Sequence, residues 1–307
     1  MSSNTTATGS DDIWDSSPYH YVPTEYVAII FIVLFGITTA SWFVTALWYR
    51  LWFLLPTAFL AGAGEVLGWA GRLWSNRNIN NQNAFMTQIT CTIIAPTPFL
   101  AAIFILFAAL STRLGPSYGR LTPVWYSRIF LTCDIIALAI QGTGGGIASS
   151  AADDDSKTQN LGSHVMLAGI IFQLIALGIF MLLAAEYFWR FLKDRPYRST
   201  PNNNSVATLY LRRHWTMRLK LFSAATAFST LTLFIRAIYR VIELAGGWNG
   251  RIIGTQVYFN VLDGAMVVLA MYSLTFFNPA WFLYSQRPVG EDDEADKEAD
   301  MSPNLTR

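Results

Sequence analysis

Seven apolar stretches, each near the length needed to cross hydrocarbon, constrain this chain more than any other feature. They are Tyr26–Trp48, Leu51–Trp74, Ala84–Ser111, Val124–Ser149, Val165–Phe188, Leu219–Ala245 and Thr255–Phe282. A helix rises about 1.5 Å per residue, so roughly 20 residues span the hydrocarbon core of a bilayer. Without water at that depth, each stretch must satisfy its own backbone hydrogen bonds, and that requirement selects helix. The expected fold is all-α, a polytopic membrane protein with seven transmembrane helices. Composition agrees: 13% of residues are charged, about half the share usual in soluble domains.

Orientation follows from the Lys and Arg residues of the connecting segments. With the N-terminus outside and the C-terminus cytosolic, fifteen basic residues fall on inner segments and four on outer ones. The four are Arg72, Arg77, Lys157 and Arg251; Arg236 and Arg240 lie inside the sixth span. The expected layout is an extracellular tail over 1–23, a seven-helix domain over 24–285 and an acidic, disordered cytosolic tail over 286–307. The first 25 residues contain no Lys or Arg, so the first span reads as an uncleaved anchor instead of a removable signal. Asn4-Thr5-Thr6 is a glycosylation sequon on the outer side, and the basic 189–218 loop lies near anionic inner-leaflet lipid. Net charge is +1 and no basic, aromatic-interleaved patch occurs, so nucleic acid is not an expected partner. Cys91 and Cys133 sit at different depths and read as small packing residues, not as a disulfide.

Ionisable groups within a span cost a few kcal/mol by insertion scales, so each requires a partner or a role. Their spacing recurs. Glu65 and Arg72 are seven apart, as are Asp134 and Gln141, while Arg236, Arg240 and Glu243 follow an i, i+4, i+7 pattern shared by Gln256, Asn260 and Asp263. Seven residues make nearly two turns, so each set lines one helix face, and these faces are expected to turn away from lipid. Depth adds to this. Even-numbered spans run outward and carry their polar groups late; odd-numbered spans run inward and carry Gln88, Gln256, Asn260 and Asp263 early. These groups therefore share the outer half of the bilayer, with Asp134 somewhat deeper.

The expectation is one ion-paired polar cavity opening outward. Its candidate ligand-binding residues are Glu65, Gln88, Asp134, Gln141, Arg236, Arg240, Glu243, Gln256, Asn260 and Asp263. The competing expectation is structural: buried pairs that fix helix register, with Arg72 and Glu243 snorkelling to the interface. Gly142, Gly144, Gly145 and Gly146 serve close approach, of a ligand or of a neighbouring helix, and Pro96 and Pro98 should kink the third span.

The same residues resemble the fungal lipid-translocating exporter family, the RTA-like seven-span membrane proteins. The resemblance rests on Gly64-Glu65-Val66-Leu67-Gly68-Trp69 with Arg72, Gln88 followed by Ala95-Pro96, and Asp134 followed by Gln141 and Gly144-Gly145-Gly146. It continues through Arg236-Ala237-Ile238-Tyr239-Arg240 with Glu243 and Gly246 to Asp263, so it covers about residues 20–285. Two positions depart from the family pattern: Gln256 replaces a frequent Glu, removing a proton-titrating carboxylate, and Asn278-Pro279 replaces a frequent His-Pro. The resemblance implies a plasma-membrane exporter or flippase-like translocase of amphipathic lipids, such as sphingoid bases or sterol-like toxic compounds, that confers lipid and drug resistance.

Three functions compete on the residues themselves. A translocase would hold a lipid head group in the polar half while its chain stays in the bilayer. A seven-helix lipid receptor or stress sensor has the same topology, but the third span ends in Ser111-Thr112-Arg113-Leu114, without the acidic-Arg-aromatic triplet of the large receptor class. A zinc hydrolase would need clustered His and acids, yet His20, His164 and His214 all lie away from span centres. The expected partners are therefore membrane lipids and an amphipathic small molecule, with neither a cofactor nor a metal.

Overall fold

The computed structural model describes residues 23–77, 82–150, 156–197, 217–246, 252 and 254–280. Both tails, the sequon at Asn4 and most of the basic 189–218 loop lie outside them. Seven helices are long and apolar enough to cross a membrane: α1 Glu25–Trp48, α2 Trp52–Arg77, α3 Asn83–Leu114, α4 Pro123–Ser150, α5 Ser156–Lys193, α6 Met217–Ala245 and α7 Gln256–Phe276. Their sequence-adjacent neighbours pack side by side, and α7 closes back on α1. The apolar span of α3 is 72% buried, against at most 50% for any other, so α3 is the axial helix of the bundle. Large apolar side chains such as Ile30, Val33, Ile37 and Leu182 point outward. Such all-round apolarity is what lipid-facing helices require.

Two spans differ clearly from their expected limits, and the third span is broken where its prolines are expected to kink it. α5 begins at Ser156, not Val165, and its 38 residues extend about 57 Å, well past the hydrocarbon. α7 breaks after Phe276, inside the expected Thr255–Phe282. Asn278 turns the chain there: its Oδ1 accepts from the Ala280 amide, and its Nδ2 donates to Thr45 Oγ1 on α1 at 3.0 Å. Pro279 adds its own constraint on the residue before it. The third span is broken at Ala95, where Gln82–Ile94 gives way to a second segment starting at Pro96. Pro96 has no amide hydrogen, so the helix cannot donate to the Thr92 carbonyl.

Small residues set the helix spacing. On α2, Gly68 faces α3 so closely that a methyl group there would lie 2.6 Å from Thr92 Cγ2. On α4, Gly144 meets α5, with a methyl 2.5 Å from the Met166 amide nitrogen. Tight helix packing is thus the role of Gly144, whereas Gly142 and Gly146 face open space. Such small-residue contacts let helix backbones approach where no hydrophobic effect drives them together.

The two halves of the bundle have opposite chemistry. Away from the end where α1 begins, Phe104, Phe107, Phe130 and Phe180 interlock with centroid separations of 4.6–5.5 Å. The Tyr187 ring packs edge-on against Phe107, and its hydroxyl donates to the Ser111 and Gly115 carbonyls. Polar and charged groups gather in the other half. Cys91 and Cys133 are both free.

Candidate functional site

The i, i+4, i+7 face of α6 turns fully inward. Arg236, Arg240 and Glu243 are 7%, 1% and 3% exposed, and Asp263 opposite them on α7 is 0% exposed. α7 widens into a π turn over Phe259–Ala265, a local bulge of a kind frequent at functional sites. Asp263 lies in that bulge. Arg240 grips its carboxylate with two bonds, Nε to Oδ1 at 2.8 Å and Nη2 to Oδ2 at 2.7 Å. The third arm, Nη1, donates to Glu243 Oε2 at 2.7 Å. Arg236 Nε lies 2.8 Å from Asp263 Oδ1. Bidentate geometry of this kind is a strong form of the arginine–carboxylate contact.

α3 completes the cluster. Thr92 Oγ1 accepts from Arg240 Nη2 at 2.8 Å and donates to the Gln88 carbonyl at 2.9 Å. The Thr92 carbonyl, left without a donor by Pro96, accepts from Arg236 Nη2. Tyr239 donates its hydroxyl to Glu243 Oε1 at 2.9 Å.

α2 contributes Glu65 and Arg72, both buried. Glu65 lies within electrostatic reach of Asp263, Arg236 and Arg240, with the Trp69 indole as a donor beside its carboxylate, though neither oxygen makes a hydrogen bond of normal geometry among the described residues. Arg72 does not snorkel: its guanidinium stacks 4.6 Å from the centre of the Phe259 ring, and Arg240 lies 5.1 Å from the same ring. Phe259 thus offers its π-system to two cations at once. With Arg72 in the interior, the segments expected outside carry three basic residues, Arg77, Lys157 and Arg251. Glu243 is likewise interior.

The remaining candidates lie around this centre or apart from it. Gln88 is buried against α2, with its Oε1 unpartnered among the described residues. Asn260 is half-buried on α7 with Oδ1 likewise unpartnered. Gln256 does not join the cluster: it is one turn too near the end of α7 and accepts from Thr24 Oγ1 at 2.9 Å. Asp134 is buried on α4 but has no ion-pair partner among the described residues, because the cations come from α2 and α6. Gln141 bonds Gln173 on α5 at 2.8 Å, and Gln173 bonds Thr97 at 3.1 Å. That chain reaches the cluster only through a cavity of about 20 Å³ bordered by Gln173, Arg236 and Arg240. One water fits such a space. The charges meet as expected, but as a close-packed cluster and not as an outward-opening cavity, because Arg236 and Arg240 are held against Asp263 and Glu243.

Thr92, Tyr239, Gln173 and Phe259 take part without having been singled out as candidates. Thr92 had a signal, a hydroxyl four residues before a proline inside a span. Among the described residues no group of three or more His, Cys, Asp or Glu side chains could hold a metal ion.

Fold and cluster together define a multi-pass membrane protein with an ion-paired core between α2, α3, α6 and α7. A family model described as RTA1 like protein matches residues 58–286, and the chain belongs to that family. It is 32% identical over 280 residues to the sphingoid long-chain base transporter RSB1 of Saccharomyces cerevisiae, covering 85% of this chain and 72% of that one. It is 25% identical to protein RTA1 of the same yeast over 82% of this chain and 81% of that one. With the yeast protoporphyrin uptake protein 1 it shares 24% identity, over 84% and 90% of the two chains. No solved structure matches.

Proposed function

We propose that this protein moves single-chain amphipathic lipids of the long-chain base type between leaflets or out of the cell, at the plasma membrane, and so protects against them. The observation that carries this reading is Glu65, a fully buried carboxylate with at most the Trp69 indole as a donor, beside the Arg236–Arg240–Asp263 pairs. A buried acceptor left unsatisfied costs about 1–3 kcal/mol or more. Gln88 Oε1 and Asn260 Oδ1 are further acceptors without partners among the described residues. An ammonium brings three donors and no acceptor, so a cationic head complements this set. The similarity to a chain named as a sphingoid long-chain base transporter points the same way. In this reading the N-terminus is outside, on the distribution of basic residues, and the cluster lies in the outer leaflet.

A second reading, a lipid-binding sensor without transport, is favoured by one observation: the space beside the arginines is about 20 Å³, too small for a head group without rearrangement. Reconstitution separates the two. Purified protein in liposomes is expected to accelerate transbilayer movement of a fluorescent long-chain amine, and Glu65→Gln is expected to slow it. Protein that binds the amine but moves none of it supports the sensor and ends the translocase reading.

A further inference from the structure

α6 has two faces, and the outer one is also shaped. Ile235, Ile238 and Ile242 form a stripe at helical spacing, and Tyr258 and Leu262 of α7 stand across from it. Between them runs a groove of about 480 Å³, within the roughly 300–1,000 Å³ typical of small-molecule sites. Its walls are exposed, Ile238 by 39% and Ile242 by 49%, whereas Tyr239 in its floor is only 5% exposed. The Tyr239 ring faces the groove while its hydroxyl reaches inward to Glu243 Oε1 at 2.9 Å. Glu243 in turn holds Arg240. One side chain therefore separates a lipid-facing apolar channel from the buried charges.

We propose that the α6–α7 groove binds the hydrocarbon chain of a single-chain lipid amine arriving sideways from the bilayer, with its ammonium replacing the Tyr239 hydroxyl as donor to Glu243. This rests on the translocase reading for its ligand class but not for its location. Hydrogen-bond complementarity selects the occupant. Glu243 Oε1 behind the tyrosine accepts a hydrogen bond, so an ammonium, which only donates, fits where a phosphate diester head, which only accepts, does not, and one groove of this width beside one polar contact suits one chain. Entry from the side also explains how a ligand reaches a cluster whose own cavity admits one water: the chain never leaves hydrocarbon, and only the head crosses the tyrosine.

The test uses the full chain in phospholipid nanodiscs and a long-chain amine carrying a photoactivatable group in its chain, with labelled peptides mapped after irradiation. Label is expected on α6 and α7, displaced by unlabelled long-chain amine but not by added phosphatidylcholine. Ile238→Trp fills the groove from the lipid side and should cut labelling about tenfold or more, since several buried methylene groups are displaced. Tyr239→Phe keeps the ring but removes the competing donor, and should strengthen amine labelling while leaving labelling by the matching long-chain alcohol unchanged. Label spread evenly over lipid-facing helices, or displaced equally by phosphatidylcholine, would overturn the proposal, as would Tyr239→Phe weakening the amine signal. Flux measured on the same preparations keeps the two readings apart. If wild type labels at the groove but moves no lipid, translocation falls and the groove stands. If Ile238→Trp transports and labels like wild type, the groove falls and translocation stands.

Discussion

The Arg236 guanidinium donates to the backbone carbonyl of Thr92, an acceptor that exists because Pro96, one turn on, has no amide hydrogen to offer it. A helix break that costs α3 one backbone bond thus creates a socket for a buried cation on α6. The kink and the charge cluster are one device, and each accounts for the other.

Pro96→Ala should return the Thr92 carbonyl to the helix and leave Arg236 short of an acceptor. The regained backbone bond contributes about 1 kcal/mol and the lost charged one about 1.5–3 kcal/mol, so a net loss of about 1 kcal/mol is expected. Thermal unfolding in detergent should show a fall of a few degrees, smaller than that of Arg236→Ala. A Pro96→Ala protein as damaged as Arg236→Ala, or more stable than wild type, would contradict this.

Arg240 and Asp263 are buried together, so removing one strands the other. Arg240→Ala and Asp263→Ala should each cost roughly 3–5 kcal/mol. The double variant should fall well short of their sum, with a coupling energy up to about 3 kcal/mol. Additive losses in denaturant titrations would show that the two groups act independently. The milder Asp263→Asn should still reach the cell surface but lose protection against a toxic long-chain amine.

Glu65 has the opposite profile. Because its carboxylate has at most the Trp69 indole as a donor, and Gln keeps an acceptor for it, Glu65→Gln should leave stability within about 1 kcal/mol of wild type, or raise it. Amine flux should nevertheless drop at least about tenfold, equivalent to about 1.4 kcal/mol. Retained flux would remove Glu65 from the ligand's path, and flux lost together with folding would make it structural.

Gly68→Leu forces a side chain into Thr92 and should cost about 1–3 kcal/mol as α2 is pushed from α3. Gly146→Ala meets open space and should be neutral or stabilising by up to about 1 kcal/mol. The pair, compared by thermal shift, distinguishes spacing from helix propensity. Equal effects would mean that close approach at Gly68 does not hold the bundle.

Much of this was legible in the sequence because membrane helices announce themselves by length and periodicity. The seven-residue spacings of Glu65 with Arg72 and of Asp134 with Gln141 put all four inside the bundle. The face of α6 met Asp263 as the depths suggested. Spacing gives the face of a helix but not the azimuth of its neighbour, which is why Asp134 reads like Asp263 in sequence and yet stands apart from the cations. Thr92 was hidden for another reason: its role comes from a missing hydrogen three helices away from its charged partner in chain order. The groove was hidden because α6 shows isoleucines outward as any lipid-facing helix does, and only the placement of Tyr258 and Leu262 gives that stripe a second wall.

The half of the bundle filled by Phe104, Phe107, Phe130 and Phe180 has an electrical consequence. A voltage of 100 mV is worth about 2.3 kcal/mol per elementary charge, less than the several kcal/mol needed to strip an ion of water in so apolar a medium. The rings interlock at 4.6–5.5 Å, and the Tyr187 hydroxyl at their margin is already committed to two carbonyls. The six charged side chains of the cluster thus sit in one half of the bundle, while the interlocked rings of the other half offer a passing ion no charge to replace its lost water.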